Sequence, residues 1–115
     1  MSAQPQETVI RSASKQVVIG GNNPFCLIGE RINPTGRRIF QEQLKAGDFS
    51  AIERDVVAQV AGGADVLDIN MGVPLMDEAE LLAKVVQMVQ GLTDVPLCID
   101  SSVVEALEAG LSVYQ

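Results

Sequence analysis

Phe25–Arg37 reads FCLIGERINPTGR. An apolar run, Phe25-Cys26-Leu27-Ile28, ends in a packet of hydrogen-bonding side chains: Glu30, Arg31, Asn33, Thr35 and Arg37. A buried parallel strand that delivers a ligand site at its end has this pattern. It recurs twice. Val66-Leu67 leads into Asp68-Ile69-Asn70, and Val95-Pro96-Leu97-Cys98-Ile99 leads into Asp100-Ser101. Three strands that finish in acids and amides predict one polar site along one edge of one sheet.

The intervening segments have helical spacing. After a strand over about 25–29 and a loop over 30–37, a helical piece runs near 38–46 and stops at Gly47. Asp48 is placed to cap a second helix with Phe49, Ile52, Val56, Val57 and Val60 at helical spacing, ended by Gly62-Gly63. A strand over 64–69 follows. Asp77 with Glu80 forms a capping box for a helix carrying Leu81, Leu82, Val85, Val86 and Val89 on one face, as far as Gly91. The third strand spans about 95–100, and Ser102 with Glu105 opens a helix through Val104, Leu107 and Leu111. Upstream, residues 1–6 read as a tail. Thr8-Val9-Ile10 and Gln16-Val17-Val18-Ile19 read as a β-hairpin, with a turn at 20–24. Residues 1–115 are thus expected to form a single α/β domain, with tail and hairpin over 1–24 and about three βα units over 25–115. Alternation of this kind implies a parallel sheet with right-handed crossovers and a ligand beyond the carboxyl ends of its strands.

Bulk properties narrow the function. A chain of 115 residues can bury one real core. Aromatic residues make up 3% and Trp is absent, so base-stacking platforms for nucleic acid are not expected. A net charge of −7 argues against polyanions and acidic membrane surfaces. No apolar run approaches the roughly 20 residues of a membrane span, and the N-terminus lacks a signal-peptide core, so a cytoplasmic protein is expected. The absence of histidine rules out a Ser-His-Asp triad and disfavours zinc, so no metal is expected. Acid–base chemistry would fall to carboxylates, Tyr114, lysines or the substrate. Cys26 and Cys98 sit inside apolar runs, and are expected to be small buried hydrophobes.

Strand alternation puts Asp68 and Asn70 on one face, pointing together into the mouth of the sheet, with Leu67 and Ile69 facing the helices. Asp68 alternatively caps a turn. Asp100 follows an apolar run, where a buried acid needs a partner. It either N-caps the following helix or accepts paired N–H donors from a planar ring edge. Glu30 and Asn33 lie in the expected first loop, where Glu30 either joins the site or pairs with Arg31, Arg37 or Arg38. No phosphate-cradling glycine pattern is present. A site rich in Asp, Asn and Glu suits a polar heterocycle with several N–H donors.

The segments GERINPTGRR, DVLDINMGVP and PLCIDSS resemble the pterin-binding methyltransferases. These are the methyltetrahydrofolate:corrinoid methyltransferases, including the folate domain of cobalamin-dependent methionine synthase. The resemblance covers about residues 17–115, with the three motifs in the family's order and spacing. It implies a TIM (β/α)8 barrel of the dihydropteroate synthase-like type with a folate site at its C-terminal face. By resemblance, Asp100 hydrogen-bonds the amino-pyrimidine edge of the pterin, Asp68 and Asn70 line the same pocket, and Glu30 and Asn33 join from the first loop. The implied reaction moves the N5-methyl of methyltetrahydrofolate to the Co(I) of a corrinoid (cobalamin) on a partner protein or domain. A homodimer is also expected.

A barrel of this type needs about 250 residues. This chain is therefore expected to be the N-terminal part of one, supplying part of the pterin pocket and no catalytic residue, since the asparagine that contacts N5 in the family lies on a later strand. Two alternatives remain. One is a dihydropteroate synthase-like enzyme, although the loops after strands one and two differ from that family's motifs. The other is a non-catalytic pterin-binding or assembly fragment.

Overall fold

A computed structural model describes residues 6–115. All but the last residue of the expected tail lies outside that range. The hairpin forms from β1 (Glu7–Arg11) and β2 (Gln16–Gly20), antiparallel and in unbroken register from Glu7 opposite Gly20 to Arg11 opposite Gln16. It is a separate two-stranded sheet. Two long-range bonds tether it: Ser12 Oγ donates to the Asp94 carbonyl at 2.6 Å, and Tyr114 Oη donates to the Arg11 carbonyl. Tyr114 Oη also accepts from Leu97 N. The hairpin and Tyr114 therefore sit at the amino end of the third main strand, away from the polar packets, and Tyr114 is a structural tie.

The main sheet is β3 (Ile28–Ile32), β4 (Val66–Ile69) and β5 (Leu97–Ile99), parallel and in that order. The helices are α1 (Arg38–Lys45) and α2 (Ser50–Ala61) after β3, α3 (Glu78–Leu92) after β4, and α4 (Val104–Val113) after β5. The architecture is mixed α/β, compatible with part of a pterin-enzyme barrel; these three strands do not themselves close one.

Leu67 and Ile69 face the helices and join one core with Ile32, Ile52, Val56 and Leu97. The stripe expected on α3 is buried in full: Leu81, Leu82, Val85, Val86 and Val89. Burying each such side chain contributes about 1.5–3 kcal/mol. Asp77 caps α3 as expected, accepting from Glu80 N at 3.1 Å. At Gly110 of α4 an added Cβ would meet Ile99 Cγ2 at 2.9 Å, so only glycine lets the helix approach this closely.

Several expectations need correction. The first strand begins and ends about three residues later than its apolar run suggests. Pairing starts where Leu27 N donates to Asp65 Oδ2 and the Leu27 carbonyl accepts from Asp65 and Val66, which leaves Phe25 86% exposed. Glu30 and Arg31 therefore belong to β3 rather than to a loop. The ladder shifts register between Gly29 and Ile32, and Arg31 N is satisfied by Gln59 Oε1 at 3.1 Å. Cys26 is half-buried and Cys98 exposed, because no helix covers the inner face to which Cys98 points. Val57, Val104 and Leu111 are exposed; α2 buries Ala51, Ile52, Asp55 and Val56, and α4 buries Ala106 and Gly110. Ser102 does not cap α4. No side chain caps α4, whose N-cap residue is Val103; Ser101 Oγ instead accepts from Val103 N at 3.0 Å in the turn before the helix.

Candidate functional site

The three polar packets meet at the carboxyl ends of β3, β4 and β5. Asp68 lies directly opposite Cys98 in the parallel ladder, so both side chains occupy the inner face. Asp100 is two residues further along β5, and its backbone N–H donates to the Ile69 carbonyl at 3.0 Å, which fixes it beside the end of β4. Glu30 joins from β3. Asp68 is 7% exposed, Asp100 is half-buried and Glu30 is open to solvent.

This crowding sets the electrostatics. Burial, then a side-chain hydrogen bond with Asp100, push the Asp68 carboxyl up to about 6. The negative charges of Asp100 and Glu30 add to the rise, while a hydrogen bond from the Cys98 thiol opposes it. Although the residue as a whole is exposed, partial desolvation of its thiol beside Asp68, followed by the nearby carboxylates, pushes Cys98 up to about 11. Cys98 is thus a protonated donor to Asp68 at neutral pH, not a nucleophile. Among the described residues no group of three or more His, Cys, Asp or Glu is arranged to hold a metal ion.

The strand ends share one local device. Asn33 Oδ1 accepts from Thr35 N at 2.9 Å, and Asn70 Oδ1 accepts from Gly72 N at 2.9 Å. Ser101 Oγ does the same for Val103 N and also donates to Glu78 Oε2. Side-chain turns of this kind stop each strand abruptly at the mouth. In Asn70 the carbonyl oxygen holds the turn, while its Nδ2 group makes no hydrogen bond among the described residues. The same holds for Asn33. The alternative that Asp100 caps α4 is not realised, since that helix has Val103 as its N-cap residue and no side-chain cap.

The arginine alternative for Glu30 is not realised. Arg31 Nε and Arg37 Nη2 turn to the helix side and approach Asp55 at 3.6 and 3.7 Å, where Arg54 Nε also lies at 3.7 Å. Asp55, 4% exposed, was not singled out from the sequence. Its signal was an acid beside Val56 on the buried stripe of α2, a position that demands cationic partners. Leu75, in the loop after β4, is fully exposed at φ 67°, a backbone region that disfavours leucine.

The site thus gathers three carboxyl groups and a thiol donor, with Asn33 and Asn70 in the turns that end β3 and β4. The arrangement can accept several N–H donors from a flat polar ring and return donors to its carbonyl. The family model of the pterin binding enzymes matches residues 29–115, from the second residue of β3 past the end of α4. The chain belongs to that family.

Proposed function

We propose that this member of the pterin binding enzymes holds methyltetrahydrofolate and presents its N5-methyl group to a corrinoid carried by a partner protein or domain. The observation that carries the reading is the Asp68–Asp100 pair, two adjoining carboxyls on an open inner face with Glu30 beside them. The amino-pyrimidine edge of a pterin presents a row of N–H donors, and carboxylates are acceptor-only groups that answer such a row. Asp100 takes the paired N–H donors, Asp68 extends the acceptor row, and the Nδ2 groups of Asn70 and Asn33 face the acceptor side of the ring. Ligand entry excludes water from Asp68 further, which strengthens each of these bonds.

The methyl-transfer part of the reading is supported by the loops. Asn33-Pro34-Thr35-Gly36-Arg37 and Asn70-Met71-Gly72-Val73-Pro74 are similar to those of the methyltransferases and unlike those of dihydropteroate synthases. The corrinoid supplies the nucleophile; the residues described here bind and orient the methyl donor, and none is assigned to proton donation at N5. The reading goes with a cytoplasmic homodimer. Among the described residues no helix is long and apolar enough to cross a membrane.

Competition binding tests the choice of substrate. Tighter binding of 5-methyltetrahydrofolate than of a hydroxymethyl-dihydropterin pyrophosphate is expected. Binding of the pyrophosphate alone would replace the methyltransferase reading with a synthase.

A further inference from the structure

The chain carries a net charge of −7, yet Arg31, Arg37, Arg38 and Arg54, half of its eight cationic residues, cluster around α1 and the start of α2. Between these helices lies an open cavity of about 510 Å³, lined by Arg37, Arg38 and Arg54 together with Phe40, Gln43 and Ala51. Its size falls within the range of small-molecule sites. We propose that this cavity is an oxyanion site, built from residues separate from the Asp68–Asp100 pair.

Charge is unbalanced around this cavity. Arg31, Arg37 and Arg54 all converge on Asp55 within 3.6–3.7 Å, and Arg38 has no acidic partner among the described residues. One carboxylate cannot neutralise four guanidinium groups. Arg37, Arg38 and Arg54 line the cavity, and the buried Asp55 does not. Guanidinium forks match carboxylate and phosphate oxygens in pairs.

One of the lining cations is also held in place. The Arg37 guanidinium stacks over the Phe40 ring at 4.7 Å, and its Nη1 donates to the Arg31 carbonyl, so the group is held in place. A held cation loses less freedom on binding an anion than a free surface lysine does. The local sequence also departs from helix preference here. α1 starts with Arg37 and Arg38, has no side-chain cap and no acid in its first turn, so positive charge sits at the positive end of the helix dipole. An anion in the cavity would reverse that repulsion.

The shared ligand chemistry is an oxyanion, from either the glutamyl carboxylates of a folate tail or a free phosphate. The bond from Arg37 to the Arg31 carbonyl puts the cavity beside the carboxyl half of β3, the end at which the pterin pocket opens. The site does not depend on the pterin reading, because phosphate alone can reveal it.

The test is calorimetric titration of the intact chain with tri-L-glutamate and, separately, with inorganic phosphate, using R38A, R38K and R38A/R54A variants and an Asp100→Ala control. Saturable binding of one probe is expected, weakened roughly tenfold by R38A, largely kept in R38K and unchanged in the control. Preference for triglutamate assigns the site to a carboxylate tail, and preference for phosphate assigns it to a phosphate group. No saturable binding of either probe would overturn the proposal. So would equal affinity in R38A/R54A with its thermal midpoint unchanged.

Discussion

Two aspartates are buried among the described residues, one on each side of the sheet, and their surroundings are opposite. Asp55, on α2, is ringed by three guanidinium groups at 3.6–3.7 Å. Asp68, on β4, is crowded by two other carboxyls, and its only relief from a protein donor is the Cys98 thiol. A fold gains from the first arrangement and loses from the second. Like charges pressed together at a strand end persist where a ligand is to supply the missing donors. The contrast sets an acid with cationic partners in the fold against one left among like charges.

Substitutions at the two residues should therefore move stability in opposite directions. Asp55→Ala removes the carboxylate that holds three arginines together and should lower unfolding stability by ~2–3 kcal/mol, less than for a fully buried pair because the arginines can reach water. Urea unfolding measures this, and an unchanged midpoint would deny Asp55 its structural role. Asp100→Ala should weaken methyltetrahydrofolate binding by ~1–3 kcal/mol, the scale of a lost charged hydrogen-bond partner, with little effect on the unfolding midpoint. Unchanged affinity would remove Asp100 from the pocket.

Asp68→Asn should raise stability at pH 7–8 by ~1–2 kcal/mol after allowance for solvent at the open mouth, while weakening the ligand. The direction follows from its raised pKa. The unfolded carboxyl titrates near 3.8 and the folded one near 6. Its contribution to stability is full below the lower value and lost as pH rises through the higher one. Wild-type stability should therefore carry a falling component between about pH 4 and 6 that Asp68→Asn flattens. Pterin affinity should instead rise across about pH 6, as the acceptor ionises. Asn70→Ala has the smallest effect, about 1 kcal/mol of stability from the lost turn bond, with a modest loss of affinity through Nδ2. If stability alone changes, Asn70 is only a turn residue.

How much was legible in the sequence follows the range of the forces involved. The aliphatic stripe of α3 and its Asp77 cap are local patterns, and both were readable. So was the gathering of Asp68, Asp100 and Glu30 at one sheet end, because strand alternation and parallel pairing follow from the βα rhythm. The frame of β3 was not readable. It depends on Asp65, 38 residues from Leu27, and on the Gln59 side chain that satisfies Arg31. The Asp55 cluster likewise draws in Arg31 and Arg37 from outside its own helix. The buried face of α4 is chosen by the approach of Ile99 and Leu82 to Gly110, not by the helix's own larger aliphatics. Exposure of Cys98 depends on the inner face being uncovered, which an apolar run cannot reveal.

The central claim is that the carboxyl-rich inner face receives a pterin. Its most direct test is a calorimetric titration of the chain with methyltetrahydrofolate at pH 5 and pH 7.5, wild type against an Asp68→Asn/Asp100→Ala variant. The account predicts saturable binding, stronger at the higher pH and abolished in the variant. Absence of saturable binding, or binding that the variant and the pH leave unchanged, would contradict it.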